Sequence, residues 1–253
     1  MMLLLLAFAM AAPPAAAPKP EPRRQVETGS RLAKRVDTSE RGQGEVRGIQ
    51  AIFGQCVVKK QYNAARQFVI TPNLEDADWR RLVGKVADSD CLIAAAASAG
   101  EIEMKFPSDT MRYALADALV RRDFPAATTV NLKNAAALVQ PDFDETKFLP
   151  KPGHKAKQRE LDQLAENRLK RIGLVYLAQF GECVVRENAA TSHALLMADP
   201  DSPGESAAFA SIRPALASCL ITGRTLSFNK STLRGTIAMN FYRLAQARVE
   251  AGQ

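Results

Sequence analysis

Aromatic residues make up 6% of this 253-residue chain. That is too few for the core of a β-sandwich, and together with abundant alanine it points to helices. Histidine is scarcer, with only His154 and His193, and neither stands near a set of partner ligands. No C-x-x-C pair or Cys/His cluster is present either, so the residue types that hold structural zinc are missing. After Ala12 no apolar run approaches the ~20 residues that span a bilayer. The signatures of nucleophilic and phosphate chemistry are also absent: no G-x-S-x-G elbow, no S-x-x-K with its partner motifs, no H-E-x-x-H and no Walker loop occurs. No zinc-finger spacing or aromatic-rich strand accompanies the basic charge, which argues against nucleic acid as a partner. No cofactor is implied by any of these patterns.

The sequence begins with an apolar run of ten, Leu3 to Ala12, followed by Pro13, Pro14, Pro18, Pro20 and Pro22. Ala9-Met10-Ala11 and Ala15-Ala16-Ala17 fit the small-x-small pattern of a cleavage site, so residues 1–17 read as a signal peptide. A leader of this kind normally opens on Lys or Arg, and here Met1-Met2 runs straight into leucines. With no cysteine before Cys56 there is no acceptor for a lipid near the cleavage region. The expectation is export to a soluble, periplasmic or secreted destination. Four cysteines in an exported chain read as two disulfides before they read as thiols.

Three passages recur in the same order. Phe53-Gly54-Gln55-Cys56-Val57-Val58 returns as Phe180-Gly181-Glu182-Cys183-Val184-Val185, 127 residues on. Asp90-Cys91-Leu92-Ile93 is echoed by Ser218-Cys219-Leu220-Ile221 at an offset of 128, and Phe106 to Arg112 by Phe228 to Arg234 at 122. Three matches in register indicate an internal duplication. The expected fold is therefore mainly α, with two tandem units at residues 46–140 and 159–253. Each unit would hold a helix hairpin, a short strand and a capped helix.

The midpoint of Cys56 and Cys91 falls beside Thr71-Pro72-Asn73, and that of Cys183 and Cys219 falls in Asp199 to Gly204. Both are turn chemistry, so each disulfide should staple the open end of its own hairpin. Gly54 and Gly181 sit inside these helices, where glycine costs about 1 kcal/mol against alanine; close approach of another helix would explain them. The segments Glu101–Phe106 and Arg224–Phe228 alternate as strands do. If they pair, the two units share one core with pseudo-twofold symmetry. The last helix of each unit would be capped by Ser108 or Asp109, and by Ser231. Its core face would be Met111, Ala114, Leu115, Ala118 and Leu119 in one copy, and Leu233, Ile237, Phe241 and Leu244 in the other.

The net charge of +7 is uneven. Residues 19–48 hold eight basic and five acidic side chains, and residues 147–171 hold eight and three, so the remainder is nearly neutral. The first stretch reads as a basic, partly disordered arm over 18–45. The second opens as a basic, Pro-rich linker over 141–158. Lys151, Lys155, Lys157 and Arg159 would form a local positive patch for an envelope protein or an anionic surface; a solvated linker is the plainer alternative. Ser192-His193 with Asp199 and Asp201 has the residue types of a hydrolase, but adjacent residues on one helix point about 100° apart, and the histidine reads as a surface one. The acidic groups Asp142, Asp144, Glu145 and Glu75, Asp76, Asp78 read as solvated or as complements to helix dipoles. Two functions remain: a non-catalytic binding or structural protein of the cell envelope, and an exported hydrolase with dispersed catalytic residues.

Overall fold

In the computed structural model, residues 40–72, 76–97, 108–125, 132–221 and 229–250 are described. These residues are mainly helical and fall within one compact unit. The helices are α1 (Glu40–Lys60), α2 (Tyr62–Ile70), α3 (Asp76–Val86), α4 (Ser89–Ala97), α5 (Ser108–Asp123), α6 (Gln158–Glu187), α7 (Ala189–Met197), α8 (Pro203–Cys219) and α9 (Lys230–Glu250). The two segments expected to be strands, Glu101–Phe106 and Arg224–Phe228, lie outside the described residues. So does the signal-peptide segment and nearly all of the basic arm. α1 begins at Glu40, inside the stretch read as arm.

The period of 3.6 residues accounts for most of the core. On α1, Ile49, Phe53 and Val57 recur at four-residue steps and are buried; Phe180 and Val184 do the same on α6. The faces expected of α5 and α9 are all buried, from Met111 to Leu119 and from Leu233 to Leu244. One hydrophobic core draws on both halves of the chain. α5 and α9 cross at its middle, where the Tyr113 ring lies over Gly235: a Cβ on Gly235 would come 2.3 Å from Tyr113 Cγ. α1 then packs on α5 and α6 on α9, each through a glycine. A Cβ on Gly54 would meet the Ala114 carbonyl oxygen at 2.3 Å, and one on Gly181 would meet Asn240 Nδ2 and Thr236 Cγ2 at 2.5 Å. Close helix approach is thus why both glycines are there.

Disulfides join Cys56 to Cys91 and Cys183 to Cys219, the pairs that the turn midpoints single out. The hairpins differ from simple helix pairs, because their legs are broken. Gln61 separates α1 from α2 with φ −128° and ψ 42°. Asn188 separates α6 from α7, with φ −148° and its Oδ1 accepting from Thr191 N at 3.0 Å. Asp88 separates α3 from α4, its Oδ1 accepting from Cys91 N at 3.0 Å. At Asp88 and Asn188 an Asx side chain competes with the helix for backbone donors, which is what starts a new helix there, whereas Gln61 makes no side-chain cap. α8 is continuous despite Pro214 within it. The cap expected from Ser231 is supplied instead by Asn229, whose Oδ1 accepts from Thr232 N at 2.8 Å; Ser231 Oγ donates to Gln50.

Several helix boundaries recur at the sequence offsets, although α4 has no separate counterpart because α8 runs unbroken. α1 and α6 end 127 residues apart, α2 and α7 are both nine residues long at that same offset, and α3 and α8 also begin 127 apart. α5 and α9 begin 122 apart.

Candidate functional site

The four residues of the basic patch are all exposed. Lys151 and Lys155 lie in irregular chain, Lys157 immediately precedes α6, and Arg159 is in its first turn. None of the four forms an ion pair among the described residues; the adjacent His154 meets Glu160 at 3.0 Å. The basic residues further along α6 are engaged. Arg168 reaches Glu145, which sits in a 3-10 helix (Glu145–Phe148), at 2.6 Å. Lys170 reaches Glu166 at 2.7 Å and Arg171 reaches Asp142 at 3.2 Å. The charge run therefore divides into a paired portion and four exposed cations at the helix start.

The triad residue types do not assemble. Ser192 is fully buried, and its Oγ has no hydrogen-bond partner among the described residues. His193 is half-buried rather than on the surface: its Nε2 lies 2.8 Å from the Phe124 carbonyl oxygen and its ring tilts against Phe241. Of the acidic groups, Asp144 caps Thr146, Asp142 and Glu145 pair with arginines, and Asp78 pairs with Arg81 at 2.9 Å. Asp76 is in α3, and Glu75 lies outside the described residues. Among the described residues no three His, Cys, Asp or Glu side chains gather as a metal site.

Two clusters of arginine flank the α5–α9 crossing, and their contrast is the main chemical feature of the molecule. In the first, Arg234 of α9 is buried. Its Nη1 donates to Glu205 Oε1 at 2.9 Å and its Nη2 to Asp117 Oδ1 at 3.1 Å. The same guanidinium donates to the carbonyls of Leu195, Leu196 and Ala198, closing the C-terminal end of α7. Arg47, also buried, reaches Glu205 and Asp201, each at 3.1 Å, and Arg121 reaches Asp117 at 3.6 Å. Asp201 is held at φ 64°, and its own N–H donates to Glu205 Oε2. Burial pushes the Asp117 carboxyl up against the opposing pull of Arg234 and Arg121. Only a void of about 30 Å3 remains beside this cluster.

The second cluster lines a cavity of about 80 Å3 between α5, α6 and α9. Arg112 of α5, Arg171 of α6 and Arg243 of α9 surround it, with Asp109, Tyr113 and Asn240 completing the polar wall. Leu174, Ala178, Met239, Pro72 and Pro141 form the apolar wall. Arg112 Nη2 donates to Thr71 O at 2.5 Å and Val69 O at 3.3 Å, closing the C-terminal end of α2. Its guanidinium stands over the Phe68 ring at 5.6 Å, and its Nε has no hydrogen-bond partner. Arg243 is 7% exposed and donates to Gln140 Oε1 and the Val139 carbonyl. No carboxylate lies within ion-pair distance of either Arg112 or Arg243 among the described residues. Burial, and next the nearby charge of Arg243, push Arg112 down to about 10. Burial also lowers Arg243, and pushes the Asp109 carboxyl up in spite of Arg112 and Arg171.

One signal for this cavity is present in the sequence. The third recurring passage ends on Arg112 and Arg234, an arginine at the same point of two helices whose neighbours are core residues. A charge held in that setting needs partners, and the partners differ between the halves. No protein family, curated protein or solved structure matches this chain.

Proposed function

We propose that the chain is an exported, non-catalytic binding protein of the cell envelope, periplasmic or secreted, built from two copies of one disulfide-stapled unit. The exposed cations Lys151, Lys155, Lys157 and Arg159 contact an anionic partner. The observation that carries this reading is their lack of acidic partners, beside neighbours on the same helix that have them. Long-range attraction to a negative surface needs charge that the protein has not already neutralised. Two disulfides suit an oxidising compartment.

Duplication is supported by contacts that pair off at the sequence offsets. Gly54 rests on Ala114 and Ala118, while Gly181 rests on Thr236 and Asn240, each pair of positions 122 apart. Arg112 holds the carbonyls of Val69 and Thr71, while Arg234 holds those of Leu196 and Ala198, which lie 127 further on. Arg66 of α2 reaches Gln246 at the end of α9, and His193 of α7 reaches Phe124 after α5, an exchange between halves that a twofold relation would produce. Tyr113 and Gly235, themselves 122 apart, touch each other at the crossing, as equivalent residues on such an axis must.

The test is retention on anionic vesicles and anionic envelope polymers across a salt series, for wild type and a variant with the four cations changed to Gln. Binding by wild type that fades as salt rises, with a Debye length of about 10 Å at 0.1 M, and that the variant loses, is the expected result. Equal binding by both proteins, or none at low salt, would leave the segment as a solvated linker.

A further inference from the structure

The two arginine clusters occupy corresponding places, so one shows what the other is missing. Arg112 corresponds to Arg234 and Arg243 to Arg121, both at an offset of 122. The carboxylates do not carry over. The place of Asp117 is taken by Met239, which lines the cavity, and the place of Glu205 by Asp78, which is exposed and paired with Arg81. Around Arg234 the negative charge is built into the chain, and the space is filled to about 30 Å3. Around Arg112 there is a cavity of about 80 Å3, and its arginines are met mostly by neutral oxygens.

Burying a guanidinium without a counter-charge is costly, and the cost is larger when a second one stands nearby. Asp109, Glu182 near Arg243 and Asp142, which is paired with Arg171, are the acidic groups that bear on this site. Glu182 is already committed to Arg186 at 2.6 Å and to Gln140 at 2.5 Å. Asp109 faces Arg112 and Arg171, and Arg171 is also paired with Asp142 at 3.2 Å, so Arg112 and Arg243 are the two cavity arginines without an ion pair among the described residues. We propose that this cavity binds a small organic oxyanion, a carboxylate or a phosphomonoester, whose head supplies the charge that Asp117 and Glu205 supply at the corresponding cluster. Arg112 Nε, which has no hydrogen-bond partner, and the charge of Arg243 beside it suit the oxygens of such a head. A short apolar body is accepted by Leu174, Ala178, Met239 and the two prolines. A cavity of this volume takes a head group with a few carbons, not a nucleotide or a sugar chain. The site is separate from the basic patch, so it does not depend on the reading of residues 151–159.

Isothermal titration of the oxidised full chain with inorganic phosphate, acetate and propionate, at constant ionic strength set by chloride, tests it. Saturable one-to-one binding of phosphate or of the carboxylates is expected, and the tighter arm identifies the head group. If the carboxylate arm wins, propionate should bind more tightly than acetate because of the apolar wall. Met239→Asp places a carboxylate where Asp117 stands in the other half, and should weaken binding at least tenfold while the far-UV spectrum is retained. Arg171→Gln, on the half-buried rim of α6, should weaken it severalfold and serves if the first variant does not fold. The variant lacking the four exposed cations should bind the small anion as wild type does, which separates failure here from failure of the surface reading. Absence of saturable binding by all three anions, or binding unaffected by both Met239→Asp and Arg171→Gln, overturns the proposal.

Discussion

Glycine has opposite consequences at different points of the same helix. Gly48 on α1, Gly84 on α3 and Gly173 on α6 have open space where a Cβ would go, so they only loosen their helices. Replacing Gly48 or Gly84 by alanine should stabilise the protein by roughly 0.5–1 kcal/mol, the propensity difference between the two residues. Gly54 is another matter. A Cβ there would lie 2.3 Å from a backbone oxygen of α5, which cannot rotate away as a side chain can. Gly54→Ala forces α1 and α5 apart, and a net loss of about 1–3 kcal/mol is expected after the propensity gain. Gly181→Ala meets mainly the side chains of Asn240 and Thr236, so it should cost less than Gly54→Ala. Urea midpoints of the oxidised proteins give the order directly. A stabilising Gly54→Ala would mean that the α1–α5 contact is looser than described. The arginines also act at this scale. Removing Arg234 would leave buried Asp117 to Arg121 alone and buried Glu205 to Arg47 alone, and would free the carbonyls that end α7, which places it among the most damaging single changes available.

The disulfides tie elements that the breaks would otherwise let move. Cys56–Cys91 closes a separation of 35 residues and links α1 to α4; Cys183–Cys219 closes 36 and links α6 to the end of α8. Loops of nearly equal length restrict the unfolded chain equally, by roughly 3–4 kcal/mol each in the chain-entropy model. Access is not equal. Cys91 is fully buried and its partner Cys56 half-buried, whereas Cys183 and Cys219 are both half-buried, so the second bridge has two accessible sulfurs against one. Under mild reductant, alkylation and mass mapping should therefore find Cys183–Cys219 opened first, since exchange needs the attacking thiolate to reach a sulfur. Simultaneous opening of both would mean that global unfolding, not access, limits reduction. What was legible beforehand follows the same division. The apolar faces of α1, α5, α6 and α9 could be read because periodicity reports one buried side. Arg234, Asn240 and Arg243 could not, because α9 is buried on every side and a single-stripe reading leaves polar residues to solvent. The breaks at Gln61, Ala87-Asp88 and Asn188 are hard to see for a local reason: each is only one or two residues inside an otherwise continuous helical pattern. The cavity combines residues from 72 to 243, and only its arginine at a recurring position was visible in the chain.

At the scale of the whole molecule the question is whether two halves behave as one cooperative body. Their shared centre argues that they do. α5 belongs to one half and α9 to the other, and Phe124 packs edge-on against both Phe241 and Tyr242. Tyr62 of α2 and Tyr242 of α9 both donate to the same carboxylate oxygen of Asp123, at 2.9 and 2.8 Å. Separating the halves would expose Leu115, Leu119, Ile237 and Phe241, all fully buried, at about 1.5–3 kcal/mol for each large side chain. Neither half can lose its partner and keep its own core covered. The chain supplies a convenient probe, since its one tryptophan, Trp79, sits in the first half beside Phe68. Its fluorescence reports that half alone, while far-UV circular dichroism reports helices in both. In urea the two signals should follow a single transition with the same midpoint. The slope should be that of a body of about 200 residues, near the upper part of the 1–3 kcal/mol/M range of small proteins. If the tryptophan signal moves at a separate midpoint, each half holds its own fold and the crossing of α5 on α9 is a contact between two beads. One midpoint makes the crossing the centre of the core, and places the arginine clusters on either side of it under a single folding equilibrium.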